Sequence, residues 1–409
     1  MTISSIGDWE RARAEAAKAG LQPASDAMET RMLAWLDDHS TGLILLRSRF
    51  ELYHLDHSRF EQAWHQVVER HPVLASTPVE HGGGIWLRPG GSVSLEPATA
   101  AVPEHDDPFV VPLTRAGLTR SGSGHVFDLS ISHLVADATS VNIVLRELSI
   151  LYNDPAAILP NPGSFFEWAD RQRRTILGPE GADAAVWWRE RCSGLVPTGP
   201  VLSTPGGEPG QSTILVDRDL QERVTRAYRH LRVTWYAGAL AAAADVLCGE
   251  VHPSIVFTTS WAHRRARRDH ATVGCLTSRT LIPLERQLVA DGPVRVQQAL
   301  WDAFDRSLLP YARIREAAMD QATGPDGDPA LPYFAVTDSW KSQLALDDVG
   351  VEAISSSASR GAQALEFWFE RVGTALELVV KGPYLDETLA DLGAEVLDAI
   401  ANQAEAVGI

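Results

Sequence analysis

The sequence predicts an α/β fold made of two mixed halves. In both halves, segments with apolar residues at helical spacing alternate with short segments in which polar and apolar residues alternate. The length of 409 residues corresponds to two or three domains, or to two halves that share a core. Hydrophobic residues make up 45% and charged residues 22%, which is typical of a globular protein and excludes a disordered or fibrous chain.

Helical and strand patterns follow one another along the first half. Apolar residues recur at helical spacing over 58–70, and Pro72 ends this pattern. Polar and apolar residues alternate over 127–131, which predicts a half-buried strand, and helical spacing returns over 141–148. The other elements predicted here are helices 26–35, 165–176 and 182–191, and strands 43–53 and 85–87.

The second half repeats this mixture without a visible internal repeat. An Ala-rich helix is predicted over 235–247, and it is too short to cross a bilayer and is interrupted by Asp245. The other elements predicted here are helices 220–229, 294–309 and 388–404, and strands 254–260, 276–284, 333–337, 365–369 and 375–380. Each half is therefore expected to be an α/β unit of its own.

Charge and cysteine content exclude several classes of protein. A net charge of −17 repels phosphate backbones and anionic lipid heads, so neither nucleic-acid binding nor membrane binding is expected. Cys192, Cys248 and Cys275 lie far apart and form no CxxC pair, which argues against a structural zinc site and a disulfide framework. The N-terminal segment has no apolar stretch typical of a secretory signal, and we expect a cytoplasmic protein.

A histidine and an aspartate lie where the strand predicted over 127–131 ends. His133 is followed four residues later by Asp137, just before the next helix. An imidazole can exchange a proton near neutral pH, and a carboxylate can fix the backbone or bind a cation. A structural alternative makes Asp137 a helix N-cap that accepts from the amide of Ser140, with His133 as a core residue. The spacing alone leaves both interpretations open.

The segment Ser132–Ala138 resembles the HHxxxDG signature of the condensation-domain superfamily. These are the amide- and ester-forming domains of nonribosomal peptide synthesis, and they are related to chloramphenicol acetyltransferase. Other segments resemble the family in the same order along nearly the whole chain. They are 24–36, 55–74 with its Arg70-His71-Pro72 triplet, 166–169 with Trp187-Trp188-Arg189, 273–284, 309–315 and 331–336. Several segments in the correct order are more specific than a single HxxxD motif.

The resemblance implies a pseudo-dimer of two chloramphenicol-acetyltransferase-like α/β subdomains with a central tunnel. The N-terminal subdomain would span 1–178 and carry the HxxxD motif, and the C-terminal subdomain would span 179–409. It also implies a free-standing acyltransferase of specialised-metabolite biosynthesis. An acyl group would pass from the phosphopantetheine arm of an acyl or peptidyl carrier protein to an amine or alcohol, free or carrier-tethered, giving an amide or ester. The enzyme would bind no cofactor and no metal, since the phosphopantetheine belongs to the donor.

The resemblance also gives roles to the motif residues. His133 matches the catalytic histidine, which would orient or deprotonate the acceptor, and Asp137 matches an aspartate with a structural role. Ser132 stands where the family has its first histidine and Ala138 where it has glycine, and related standalone acyltransferases tolerate both. The arginine that often follows the RHPxL segment is absent here. The segment 274–279 resembles a strand of the standalone acyltransferases that carries an arginine near this place, which implies that Arg279 is the partner of Asp137. Such a pair is consistent with the cost of a lone buried carboxylate, and the alternative is an exposed Arg279.

A basic segment over 263–270 stands out in this acidic chain. Four arginines fall within it: Arg264, Arg265, Arg267 and Arg268. They are either a solvated loop or a contact for an acidic carrier protein or a phosphopantetheine phosphate.

Three further alternatives stay open. Cys275 lies beside the expected tunnel strand and is either a core thiol or a nucleophile, although no base neighbours it in sequence. Some condensation-like domains have lost catalysis and recruit other proteins; the departures at Ser132 and Ala138 favour that function here, whereas the intact His133 and Asp137 argue against it. An acyl-CoA donor would keep the same chemistry and change only the partner.

Overall fold

The chain folds into twelve α-helices and fourteen β-strands among its described residues. This computed structural model describes residues 4–37, 44–96, 107–110, 112–193, 195, 210–249, 252–318, 331–338, 344–358 and 365–408. The helices are α1 Ile6–Lys18, α2 Asp26–Asp37, α3 His57–Arg70, α4 Ala138–Asn153, α5 Phe165–Leu177, α6 Pro179–Cys192, α7 Arg218–Leu231, α8 Trp235–Cys248, α9 Arg286–Ala290, α10 Pro293–Asp305, α11 Tyr311–Ala318 and α12 Asp386–Ala406. The strands are β1 Gln22–Pro23, β2 Leu45–Tyr53, β3 Thr77–His81, β4 Gly84–Arg88, β5 Leu95–Glu96, β6 Thr114–Ser121, β7 Gly124–Ser132, β8 Gly210–Leu215, β9 Ser254–Ala262, β10 Thr277–Glu285, β11 Tyr333–Asp338, β12 Gly350–Ala358, β13 Glu366–Val372 and β14 Ala375–Gly382.

These elements form two compact units. Unit 1 comprises Met1–Glu180, Ala262–Thr277 and Trp340–Arg360. Unit 2 comprises Gly181–Trp261, Ser278–Ser339 and Gly361–Ile409. The sequence predicts one boundary, between 178 and 179. In the structure, unit 1 also includes two segments from later in the chain, Ala262–Thr277 and Trp340–Arg360. One of them contains β12, which pairs antiparallel with β2 from Gly350↔Tyr53 to Ala358↔Leu46.

Unit 1 is built on a five-stranded sheet in the order β12-β2-β7-β6-β5. It also contains a small three-stranded sheet in the order β1-β4-β3. Period-two alternation in β7 directs Phe127, Leu129 and Ile131 into the core. The apolar stripe of α3 packs onto the same core, since the rings of Phe60 and Trp64 meet Phe127 edge-on at 5.0 and 6.2 Å. The helix α4 follows β7 directly, so the turn between them is anchored by a packed strand on one side and a packed helix on the other.

Unit 2 is built on a six-stranded sheet in the order β10-β9-β11-β13-β14-β8. Strand β11 runs parallel to β9 and β13, while β13-β14 and β14-β8 are antiparallel. The Ala-rich helix α8 is buried along most of its length because its small side chains allow close packing. No single helix within the described residues has the length and apolar content to cross a membrane, and α7 and α8 meet those criteria only as a pair bent by 103°.

Candidate active site

His133 lies in the turn that joins β7 to α4, all within unit 1. Its backbone is held at both polar groups: the N–H donates to the carbonyl oxygen of Ile44 at 2.8 Å, and the carbonyl accepts from Nη1 of Arg31 at 3.0 Å. The preceding Ser132 is fully buried, and its hydroxyl accepts from the amide of Leu134 at 3.3 Å. Serine at this motif position therefore supports the turn that presents the imidazole.

Asp137 closes the same turn and caps α4. Its backbone is extended, and Oδ1 accepts from the amide of Ser140 at 2.8 Å, as the structural alternative from the sequence required. Ala138, the next motif residue, is the first residue of the helix. The Asp137 carboxylate is 2% exposed, so it needs more than a cap to remain charged.

The charge of Asp137 is balanced by Arg264. The guanidinium binds it in a two-pronged pair, with Nη1 2.7 Å from Oδ2 and Nη2 2.9 Å from Oδ1, and only 8% of the Arg264 side chain is exposed. Oδ2 also accepts from the amide of Leu276 at 3.2 Å and from the hydroxyl of Thr277 at 3.0 Å. Both oxygens of the carboxylate are thus occupied by donors.

This pairing corrects the expectation that Arg279 is the partner of Asp137. Arg279 lies in unit 2, where its guanidinium sits 5.8 Å from the ring centres of both Tyr311 and Tyr333. It is partly buried, so the alternative of a fully exposed Arg279 is also wrong. Asp137 does meet the first residue of the strand that carries Arg279, but through the hydroxyl of Thr277.

The electrostatics of the pair follow from its geometry. Burial alone would raise the pKa of Asp137, but the Arg264 charge and the hydrogen bonds from Arg264 and Ser140 outweigh it and hold that pKa below its usual value. Asp137 is therefore ionised at neutral pH and has no proton to donate. Its carboxylate joins the start of α4 to the backbone of Leu276 and the hydroxyl of Thr277.

Ser140 and Gly274 link the turn to the segment 272–277. The Ser140 hydroxyl lies 2.7 Å from Oδ1 of Asp137 and 2.8 Å from the carbonyl oxygen of Gly274, and it accepts from the Gly274 amide at 3.0 Å. A Cβ atom at Gly274 would fall 2.0 Å from the ring of Phe165, so only glycine allows this approach. The sequence identified Ser140 only as an amide donor, and its position three residues after a capping aspartate was the available signal.

Cys275 lies against His133, a contact that the sequence did not indicate. Its sulfur is 3.6 Å from Nδ1 of His133, and Nη1 of Arg31 lies 3.7 Å from the same sulfur. Cys275 is fully buried. Burial raises the pKa of its thiol despite the opposing charge of Arg31, so the sulfur is protonated at neutral pH.

The basic segment 263–270 divides into a buried and an exposed part. His263 lies on the buried side, and its backbone carbonyl accepts from Nε1 of Trp168 at 3.1 Å. Burial, with a contribution from the nearby Arg265 charge, lowers the pKa of His263 to about 4. Arg265, Arg267 and Arg268 are exposed. Arg264, by contrast, is committed to Asp137, which corrects its expected role as a carrier contact.

The Arg70-His71-Pro72 segment lines a separate cavity of unit 1, with a volume of about 310 Å³. Arg70 and His71 both reach Oε2 of the buried Glu147 at 2.9 Å, so the guanidinium of Arg70 is paired with a carboxylate. No arginine follows this segment, where Ala75 and Ser76 stand, and Arg264 supplies the missing charge from elsewhere in the chain. Among the described residues, no group of three or more His, Cys, Asp or Glu side chains could hold a metal ion.

The site thus consists of a histidine between a core strand and a capped helix in a mixed α/β fold. A family model described as Condensation domain matches residues 107–344, more than half of the chain and including this site. The chain belongs to the condensation-domain family. That family carries out acyl transfer, generally with amide formation, in nonribosomal peptide synthesis.

Similar proteins agree with this assignment. Phosphinothricin tripeptide synthetase PhsB of Streptomyces viridochromogenes is 28% identical over 212 residues, which are 46% of this chain and 17% of that synthetase. The chain thus spans about a sixth of the length of that relative. The condensation domain from Monacolin K polyketide synthase MokA has a TM-score of 0.78 at 15% identity, covering 94% of this chain and 97% of that one.

The X-domain from teicoplanin biosynthesis has a TM-score of 0.74 at 17% identity, covering 95% of this chain and 96% of that one, and it has also been solved in complex with OxyB. These likenesses confirm the predicted fold class, a two-subdomain α/β fold of the chloramphenicol-acetyltransferase type. At these identities they bear on the fold alone.

Proposed function

We propose that this chain transfers an acyl group from a carrier-protein thioester to an amine or hydroxyl acceptor, with His133 handling the proton of the acceptor. The observation that carries the proposal is the fixed turn between β7 and α4. Asp137 is ionised and fully bonded, so it serves as a support. The imidazole beside it is the kind of side chain that ordinarily exchanges a proton near neutral pH.

The proposed reaction requires the enzyme to position the two substrates and to transfer one proton. The acceptor nitrogen or oxygen attacks the thioester carbonyl, a C–N or C–O bond forms, and the C–S bond breaks. His133 takes the proton from the attacking group and can return it to the departing phosphopantetheine thiolate, which leaves as a thiol. The thioester is already activated, and the phosphopantetheine arm belongs to the donor carrier.

The exposed part of the basic segment supports a carrier-borne donor. Long-range attraction between an acidic carrier and a chain of net charge −17 is absent, so docking depends on local positive surface. Arg265, Arg267 and Arg268 offer such a surface within unit 1, the unit that also holds His133. Arg264 is not part of it because it is buried.

Replacing His133 tests the proposal. The variant His133→Ala should keep the fold and lose acyl transfer from a carrier-loaded donor by roughly 10²–10⁴-fold, the usual contribution of a general acid–base group. His65→Ala removes an exposed histidine of α3 in the same unit and is the matched control. Full turnover by His133→Ala, with an unchanged thermal melt, would overturn the assignment of His133.

A second function is favoured by a specific observation. The fold is also that of an X-domain solved in complex with another protein, and the family's first histidine is replaced here by Ser132. A recruitment domain would bind a partner protein and turn over neither a carrier-loaded donor nor a small thioester mimic. Turnover by the parent chain that depends on His133 would exclude this second function.

A further inference from the structure

We infer that Cys275 is a positioning residue for His133: its sulfur accepts a hydrogen bond from Nδ1–H and so leaves Nε2 as the basic nitrogen of the ring. The catalytic meaning of this inference rests on the proposed function. The contact between the Cys275 sulfur and Nδ1 of His133 is independent of that function. All of the groups that carry it lie in unit 1.

Three polar groups of the described residues lie against the sulfur of Cys275. Nδ1 of His133 lies at 3.6 Å, Nη1 of Arg31 at 3.7 Å, and the carbonyl oxygen of Thr277 at 3.9 Å. The guanidinium can only donate, and the carbonyl oxygen can only accept. The thiol proton is therefore directed at Thr277, and the sulfur lone pairs face Arg31 and His133.

This arrangement sets the tautomer of the imidazole. A neutral histidine carries one proton, and the hydrogen bond made by one ring nitrogen decides which nitrogen holds it. A sulfur that presents lone pairs favours the proton on Nδ1. Nε2 then has its own lone pair and can accept the proton of an amine or alcohol.

The segment that carries Cys275 is itself braced. Gly274 on one side is bonded to the hydroxyl of Ser140, and Leu276 and Thr277 on the other side bond to Asp137. Arg31 adds a link of its own, because the same Nη1 also donates to the backbone carbonyl of His133. The sulfur and the imidazole are thus held by a shared set of contacts, which a positioning role requires.

Burial separates this role from that of a nucleophile. Cys275 is fully buried and its thiol keeps its proton, so it offers no thiolate to an incoming acyl group. A nucleophile would have to accept the acyl group on sulfur before the acceptor arrives, and that requires access.

Nitrogen-15 NMR of the imidazole rings tests the inference directly. In protein labelled with ¹⁵N-histidine, the two ring nitrogens of neutral His133 report which of them is protonated, and His133→Gln identifies its signals. We expect the parent to show the proton on Nδ1. Cys275→Ala should shift His133 toward a mixture of tautomers, and Cys275→Ser, which retains an acceptor, should shift it less. Cys248→Ala, which removes a buried thiol of unit 2, is the matched control and should change nothing.

Kinetics supply the second readout. Cys275→Ala should lower kcat by about 2- to 10-fold, the range expected for one hydrogen bond, while KM stays unchanged, and serine should restore part of the loss. A parent protein with the proton on Nε2, or a tautomer unaffected by Cys275→Ala, would overturn the inference. Abolished turnover in Cys275→Ala with accumulation of acyl-enzyme in the parent would overturn it in favour of a nucleophile. If the tautomer responds as expected but His133→Ala retains full turnover, the contact stands and the proposed function fails.

Discussion

The two parts of the basic segment 263–270 differ although their sequences look alike. In the first part, His263 is held with a pKa of about 4 and Arg264 is 8% exposed and bound to Asp137. In the second part, Arg267 and Arg268 are exposed in and around a short 3₁₀ turn. Arg264 and the exposed Arg265 are neighbours in the chain, so adjacent arginines divide into one that pairs with a buried carboxylate and one that faces solvent. Residue type alone does not reveal such a division, because it depends on which side chain finds a buried carboxylate.

The difference between the buried and the exposed arginines should have its largest effect on the free energy of unfolding. Arg264→Ala leaves the buried carboxylate of Asp137 without its counter-ion, and we expect a loss of about 3–5 kcal/mol in the free energy of unfolding. Arg264→Lys should lose less, since it keeps the charge but not the two-pronged geometry. Arg267→Ala is the matched control, expected to stay within about 0.5 kcal/mol of the parent. Urea unfolding at pH 7 measures all three, and equal effects of Arg264→Ala and Arg267→Ala would remove the contrast.

His263 predicts a pH dependence of the buried part. Its folded pKa of about 4 lies below the ordinary value near 6.5, so between these values the unfolded chain binds the extra proton. The stability that neutral His263 contributes is present above about pH 6.5 and is lost as the pH falls toward 4. Since the residue is partly exposed, we expect a loss of about 1–2 kcal/mol over this range.

The variant His263→Gln cannot titrate and should show a shallower fall in stability between pH 6.5 and 4 than the parent. His65→Gln, at an exposed position, should keep the parent slope. The measurement is the urea midpoint at a series of pH values. Identical slopes for the parent and His263→Gln would show that His263 is not held neutral by burial.

The exposed part should affect partner binding and leave stability unchanged. The double variant Arg267→Glu/Arg268→Glu should raise the KM for a carrier-loaded donor and weaken its salt dependence, because local attraction becomes repulsion. A small thioester mimic should be turned over as by the parent. The control is the double variant Arg295→Glu/Arg313→Glu, at two exposed positions of unit 2, which changes the net charge by the same amount.

Three outcomes would count against a carrier contact at this surface. An unchanged KM for the carrier-loaded donor would show that the segment is only solvated. An equal loss with the mimic would indicate damage to the fold. The third outcome concerns an acyl-CoA donor. If the parent turns over acyl-CoA as efficiently as the carrier-loaded donor, and the double variant changes neither turnover, the CoA alternative is favoured.

Much of the fold was predictable because its patterns are local. The apolar stripe of α3 and the alternation in β7 specify their elements and their buried faces without outside information. Strand β6, with its sequence TRAGLTRS, was missed because Gly117 and two arginines weaken the strand pattern. Strand β12 was missed because its partner β2 lies about 300 residues away in the chain, and long-range pairing leaves no local signature.

The candidate site was predictable to a similar degree. The motif located His133 and Asp137, and the capping geometry at Ser140 follows from local rules. The counter-ion was not predictable, since Arg264 and Arg279 both follow Asp137 by more than 120 residues and either could have met it. The contact between Cys275 and His133 was hidden for the same reason.

Double-mutant cycles on Asp137 test most directly the claim that Arg264 holds the turn of His133. The free energy of unfolding is measured for Asp137→Ala, for Arg264→Ala and for the double variant, and the same cycle is repeated with Arg279→Ala in place of Arg264→Ala. We predict a coupling of about 1–3 kcal/mol between Asp137 and Arg264, as expected for residues in direct contact, and additive effects for Asp137 and Arg279. Additivity with Arg264 together with coupling to Arg279 would contradict the account.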